Sequence, residues 1–210
     1  MELFNYFRSS ASWRVRIALA LKGLDYAYRG VHLLRDEQRA ADYGALQPSQ
    51  LVPLLKDGDH VLSQSLAILE YLDETHPEPA LLPRTPADRA FARSLALDIA
   101  CEVHPLNNLR VLRYLVHEMG VDEARKNQWI RHWIEQGLAV VEARVAVRGE
   151  RFCHGAAPGL ADCLLVPQLF NARRFEAKLD ALPTLLRIEA QCLALPAFAE
   201  TQPSRCPDAE

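Results

Sequence analysis

The sequence predicts a small α/β domain over residues 1–80 followed by an all-helical domain over residues 86–210. Three observations carry that expectation. Strand-like and helix-like segments alternate up to Glu74. The run His76-Pro77-Glu78-Pro79-Ala80-Leu81-Leu82-Pro83 then breaks the pattern, because its prolines stop helices on both sides. From Asp88 onward nearly every segment has the apolar spacing of an amphipathic helix. With 210 residues, 50% of them hydrophobic, the chain can bury one sizeable core or two small ones.

Each element has its own signal. Glu2 to Tyr6 reads as a strand. A helix near 11–22 follows, with Ile17 and Leu21 on one face, Arg14 and Arg16 pointing elsewhere, and Gly23 placed to end it. A second strand near 26–32 holds Tyr26, Tyr28 and Val31, which suit a pleated surface. A short polar helix near 36–45 carries Asp36, Glu37 and Gln38. Leu51-Val52-Pro53-Leu54-Leu55 and His60-Val61-Leu62 flank an Asp57-Gly58 turn, a hairpin signal with Pro53 at its entry. Ser65 to Glu74 is helical. Leu81 and Leu82 are placed to dock the linker. The second domain opens with a long helix over 86–118, interrupted near Pro105. Helices near 122–147, 160–174 and 183–194 follow, with Trp129, Trp133, Leu138, Val141 and Val145 as apolar markers of the first of these. The stretch from Pro203 to Glu210 is expected to be loose.

Composition narrows the function. A net charge of -3 gives no electrostatic case for nucleic acid or an anionic membrane. No apolar run reaches the roughly 18–20 residues of a membrane span, and Arg8, Arg14 and Arg16 interrupt any signal-peptide layout, so a soluble, cytoplasmic protein is expected. Cys101, Cys153, Cys163, Cys192 and Cys206 are odd in number and widely spaced, without ligand-like histidine pairing, so neither a disulfide framework nor a metal site is expected.

The chemistry-bearing stretch is Phe7-Arg8-Ser9-Ser10-Ala11-Ser12, where a strand feeds a helix. Free amides and the positive end of the helix dipole meet there, and such a place holds an anion and favours a thiolate over a thiol. Arg8 adds a cation. Taken alone, the serines are better explained as helix N-caps, and it is the wider context that points to a site. Gln64-Ser65 opens a second helix in the same manner.

The stretch Ser9-Ser10-Ala11-Ser12-Trp13-Arg14-Val15-Arg16-Ile17-Ala18-Leu19 resembles the signature of zeta-class glutathione transferases, S-S-C-x-[WH]-R-V-R-I-A-L. Further matches, in the family's order, are Gln50-Leu51-Val52-Pro53, Gln64 to Leu72, His104-Pro105-Leu106-Asn107-Asn108 and Val166-Pro167-Gln168 leading to Ala172-Arg173-Arg174-Phe175. The resemblance implies the cytosolic glutathione transferase fold, an α/β thioredoxin-like domain plus an all-α domain. It implies glutathione as cofactor and a homodimer. The activity implied is glutathione-dependent cis–trans isomerisation of a maleyl keto acid, either maleylacetoacetate or maleylpyruvate, to its fumaryl isomer. The first domain would bind glutathione and the second a small dicarboxylic keto acid.

Residue by residue, the resemblance assigns Ser9 to the glutathione sulfur, with Ser10 as the runner-up, and Gln64 and Ser65 to the γ-glutamyl carboxylate. Val52-Pro53 matches the family's cis-proline, which would turn the Val52 backbone toward the tripeptide; a trans proline at a strand edge fits the residues equally well. Gln38 would reach the glycyl end, or stand as a surface glutamine. Arg8 and Arg174 would hold substrate carboxylates and the charge that develops beside them, while Arg173 would point away. His104, Asn108 and Arg110 match positions that contact glutathione, partly across a dimer interface. Lowering a thiol pKa by about two units from about 8.5 needs roughly 2.7 kcal/mol, within reach of a hydroxyl bond and a helix dipole.

Two departures from the family pattern stand out. Ala11 occupies the usual cysteine, so no chemistry that needs that thiol is available. Gly159 replaces the Ser or Thr cap before Asp162, which leaves Asp162 a role in folding its helix. Alternatives to the isomerase are a transferase or dehalogenase acting on small α-halo acids, a non-catalytic glutathione-binding protein, and a thiol-transfer oxidoreductase.

Overall fold

Two inner strands, β1 (Glu2–Asn5) and β3 (Leu54–Asp57), form the middle of a four-stranded sheet in the computed structural model, which describes residues 1–210. Between them in sequence come α1 (Ser10–Leu21), β2 (Ala27–Gly30) and α2 (Ala41–Leu46); β4 (His60–Ser63) and α3 (Ser65–Thr75) follow. The spatial order is β2-β1-β3-β4. β2 runs parallel to β1, β3 antiparallel to β1, and β4 antiparallel to β3. Leu3, Leu54 and Leu55 of the sheet are buried, as are Val15, Ile17, Ala18 and Leu19 of α1 and Ile68, Leu69 and Leu72 of α3. Gly58 makes the hairpin turn with φ +56, a value that glycine adopts at little cost.

The expected helix over 36–45 is only partly present. Asp36 sits at φ 57 between two single 3-10 turns, Leu33–Arg35 and Glu37–Arg39, and an α-helix cannot continue through a left-handed residue. The regular helix, α2, starts only at Ala41. The linker is held by Lys22, whose buried ammonium donates to Asp73 Oδ1 (3.0 Å), His76 O (2.6 Å) and Pro79 O (2.9 Å). Three acceptors satisfy the charge, as burial demands. Leu81 and Leu82 are buried as well.

The chain divides into two compact units, residues 1–81 together with 193–210, and residues 82–192. The second is helical: α4 (Pro86–Leu97), α5 (Leu109–His117), α6 (Glu123–Ala146), α7 (Leu160–Arg174) and α8 (Pro183–Leu193). α6 buries Ile130, Ile134, Leu138, Val141 and Val145, a helical stripe; Trp129 and Trp133 flank it and are only half-buried. α7 is buried almost all round, which makes it the central helix of this unit. Asp162 caps it by accepting from Gly159 N (2.9 Å) and ties in the preceding loop by accepting from Cys153 N (2.9 Å). Glu142 does the same for α8, accepting from Thr184 N (3.0 Å) and Leu185 N (2.9 Å).

The expected break near Pro105 begins earlier. A π-turn spans Asp98–Val103 and a 3-10 turn His104–Asn107, before Asn108 caps α5. Val103 of the π-turn packs against Gly137 of α6 so closely that a Cβ added there would lie 2.1 Å from Val103 Cγ2. A branched, fully buried side chain cannot swing away from such an overlap. Gly137→Ala therefore destabilises the protein by about 1–3 kcal/mol, despite the gain of about 1 kcal/mol that alanine brings to an unconstrained helix. Urea unfolding checks this, and the loss shrinks when Val103→Ala makes room.

The last segment departs most from expectation. α9 (Pro196–Ala199) and the residues after it pack on the sheet unit, with Phe198 and Pro203 buried. The stretch from Pro203 is thus not loose: Asp208 accepts from Phe7 N, and Glu210 accepts from Arg35 (2.6 Å).

Candidate functional site

The sheet register gathers the first unit's candidate residues. Phe4 pairs with Leu54 and Leu54 with Ser63, while Asn5 pairs with Gly30. One end of the sheet therefore carries the turn after β1, the segment after β2, Val52–Pro53 ahead of β3, and Gln64–Ser65 behind β4.

At that end Ser9 caps α1. Its Oγ accepts from Ser12 N (3.2 Å), and its own N–H closes the turn onto Tyr6 O (3.0 Å). The cap uses a lone pair of the hydroxyl and leaves the O–H to donate, so capping and thiolate binding are compatible. Ser10 is buried, and so is Ser12 inside the helix. Arg8 is half-buried. Its Nε and Nη2 donate to Tyr6 Oη (3.3 and 2.9 Å), and its guanidinium lies 5.0 Å from the Phe7 ring centroid. That packing fixes the cation and leaves its Nη1 donors for a ligand.

The Val52–Pro53 bond is cis, the alternative that residues alone left open, and Val52 stands outside the strand ladder. Gln64 lies at φ 69, a conformation costly for a side-chain-bearing residue and frequent at ligand sites. Ser65 begins α3, is buried, and accepts from Arg14 Nη1 (3.1 Å). Gln38 is no surface residue: it is buried, its Nε2 donates to Asp36 Oδ1 (3.1 Å), and its Oε1 has no partner. A buried acceptor without a donor fits a ligand N–H. Together with the first-turn amides of α1 and α3, these groups suit a peptide-like ligand with carboxylates and a thiol.

In the helical unit, His104 opens the 3-10 turn and Arg110 is exposed on α5. Asn108 is the N-cap of α5, accepting from Arg110 N (3.1 Å). The two arginines that end α7 differ sharply. Arg173 forms a two-pronged pair with Glu189 (2.5 Å each), which also raises its pKa. Arg174 is exposed and lies over the Phe175 ring (5.0 Å).

Protein thiols offer no nucleophile at the turn, where Ala11 stands buried. Burial pushes the Cys153, Cys192 and Cys206 thiols above their usual range.

Other groups support the turn. Arg14 and Arg16, which lie in the signature stretch and off the Ile17–Leu21 face of α1, are both buried. Arg16 donates to Asn5 Oδ1 (2.9 Å), Phe7 O (3.0 Å) and Thr201 O (3.1 Å). The Tyr6 hydroxyl that orients Arg8 lies just past the end of β1 and carries no signal in the sequence beyond that of a strand residue.

A thioredoxin-like sheet unit with an anion- and thiol-binding end, accompanied by an all-helical unit, defines the class of cytosolic glutathione transferases. Comparisons agree. Residues 1–74 match the glutathione S-transferase N-terminal domain. The maleylacetoacetate isomerase of Pseudomonas aeruginosa is 48% identical over 211 residues, covering 99% of this chain and 98% of that protein. A solved holo maleyl pyruvate isomerase, described as a bacterial zeta-class glutathione S-transferase, superposes with a TM-score of 0.98 at 45% identity, covering 100% of both chains. A maleylacetoacetate isomerase from Anaeromyxobacter dehalogenans 2CP-1, solved with glutathione in its active site, gives a TM-score of 0.90 at 47% identity, covering 100% of this chain and 97% of that one. The chain belongs to the zeta-class glutathione transferase family of maleylacetoacetate and maleylpyruvate isomerases.

Proposed function

We infer that the protein is a glutathione-dependent isomerase that converts a maleyl keto acid to its fumaryl isomer. The observation that carries this is the convergence, at one end of one sheet, of Ser9, Arg8, the cis Val52–Pro53 segment and Gln64–Ser65 in a chain nearly half identical to such isomerases. Glutathione, when bound, supplies a thiol that adds reversibly to the conjugated alkene, so the double bond becomes a rotatable single bond and is then restored.

The chain's own residues do the rest. Ser9 donates its hydroxyl proton toward the sulfur and, with the α1 dipole, favours the ionised form. Ser10 is the reserve donor. The α3 amides with Gln64 and Ser65 receive the γ-glutamyl carboxylate, Val52 pairs with the tripeptide backbone as an added strand does, and Gln38 Oε1 accepts an N–H. Arg8 meets a substrate carboxylate and the negative charge that develops next to it, an oxyanion-hole role. Arg174 is assigned to a carboxylate of the acid, a task for which Arg173 is already committed to Glu189. His104, Asn108 and Arg110 are assigned to glutathione, Asn108 through atoms not spent on its cap. Ala11 argues against mixed-disulfide chemistry and is compatible with isomerisation.

We also propose a homodimer, supported by the exposed apolar Leu97 and Tyr114 along the 86–117 segment, and a cytoplasmic location, supported by five free cysteines. Light scattering reads the first directly.

An ultraviolet assay of maleylpyruvate and maleylacetoacetate, each with and without glutathione, tests the activity. Isomerisation with glutathione fully recovered is the expected result, and consumption of glutathione or no turnover of either acid overturns it. Ser9→Ala lowers kcat at saturating glutathione, whereas Arg174→Ala mainly raises KM for the acid; unchanged kinetics in either variant removes that residue from the mechanism.

A further inference from the structure

The peptide unit of Phe7 is gripped from both sides. Arg16 Nη2 donates to its carbonyl oxygen (3.0 Å), and Asp208 Oδ2 accepts from its N–H (3.2 Å). Asp208 comes from the far end of the sequence. Its other oxygen accepts from Tyr28 Oη of β2, and its carboxylate lies over Gly30. The segment that delivers Asp208 is anchored at three further points. Trp13 Nε1 donates to Thr201 Oγ1 (3.0 Å), Arg16 Nε donates to Thr201 O (3.1 Å), and Glu210 meets His32 (3.2 Å) and Arg35 (2.6 Å). Phe7 is buried, and the residues after it are Arg8 and Ser9.

We propose that Asp208 is a positioning residue for the Arg8–Ser9 turn: by holding Phe7 N–H it sets where the Arg8 guanidinium and the Ser9 hydroxyl stand. A misplacement of about 1 Å at such groups costs on the order of a hundredfold in rate, and the turn is short enough for one lost backbone bond to produce it. Without Asp208, a buried N–H loses its acceptor and the turn has a reason to move. The segment 193–210 thus belongs to the working site as well as to the fold. The catalytic consequence rests on the isomerase reading above; the positional consequence does not.

The test uses full-length variants. Amide hydrogen exchange is measured first on the protein without glutathione, over the peptide that contains Phe7 to Ser12. Asp208→Ala speeds exchange there at least tenfold, with β3 and α7 unchanged. Asp208→Asn, which retains a carbonyl acceptor, restores most of the protection. Tyr28→Phe, which removes only the hydroxyl that holds the other carboxylate oxygen, leaves the turn protected. Kinetics follow. Asp208→Ala lowers kcat about tenfold or more with little change in KM for the acid, and its effect on kcat shrinks once Arg8→Ala is present, leaving only the part that acts through Ser9, because the groups share one turn. Unchanged exchange at residues 7–12 in Asp208→Ala overturns the proposal, and so does equal loosening by Tyr28→Phe, which would make Asp208 a clamp for the tail alone. Absence of isomerase activity in the unaltered protein would strike the functional reading and leave the exchange result to decide this one.

Discussion

Arg8→Ala lowers kcat for the maleyl keto acid by about two to three orders of magnitude, the usual cost of deleting one preorganised group that meets developing charge. The structure explains why the loss is large. The Arg8 side chain is held against Phe7 and by the Tyr6 hydroxyl, so its charge is aimed before substrate arrives. Solvent cannot replace it without reorganising. Arg8→Lys recovers little, because an ammonium cannot donate to Tyr6 and grip a carboxylate with the same planar fork. Tyr6→Phe gives an intermediate loss, since it frees the guanidinium without removing it. Steady-state kinetics at saturating glutathione measures all three. The fold tolerates the change: Arg8 forms no ion pair among the chain's salt bridges, and thermal unfolding of Arg8→Ala stays close to that of the parent. A kcat unaffected by Arg8→Ala would reduce the residue to a strand-end arginine.

The largest stability loss falls at Asp162. Asp162→Ala costs about 3–5 kcal/mol, since two backbone N–H groups lose their acceptor, at roughly 1–3 kcal/mol each, and a helix loses its cap. Those groups belong to Gly159 and Cys153, and the helix is the buried centre of its unit. For a chain of this length the melting temperature falls by roughly 10 °C. Asp162→Asn recovers only part of the loss, because an amide has one acceptor oxygen and turns its NH2 toward the second donor. Calorimetry of the two variants separates these outcomes. A shift within about 2 °C for Asp162→Ala would mean that water replaces the carboxylate at both amides.

The order β-α-β-α-β-β-α and the helical remainder were legible because each element carries its own period and its own stop, such as Gly23 or Asp57-Gly58. Ser9 and Gln64-Ser65 were legible for the same reason: each stands where one period gives way to another, and helix starts are where anion sites form. Elsewhere local reading failed on tertiary grounds. Asp36 breaks a helix that its neighbours favour. The interruption of the long helix starts at Asp98, with Val103 packed on Gly137, an approach between residues far apart in sequence. The helical period says only that Arg14 and Arg16 lie off the Ile17–Leu21 face; their partners, Ser65, Asn5, the Phe7 carbonyl and Thr201, are supplied by the tertiary fold. Asp208 has no local signal, because its importance comes from an amide 201 positions away.

Ala11 carries a consequence for the life of the enzyme. Maleyl keto acids are electrophiles, and an ionised protein thiol set beside them would compete with glutathione for the same carbon. The Ser9–Ser12 turn holds no sulfur, and burial pushes the Cys153 and Cys192 thiols elsewhere in the fold above their usual range. The only sulfur that meets substrate at that turn is the one that arrives with glutathione and can be exchanged for a fresh molecule. The turn itself therefore offers an electrophilic substrate no protein sulfur to alkylate, and a glutathione consumed there is replaced by diffusion.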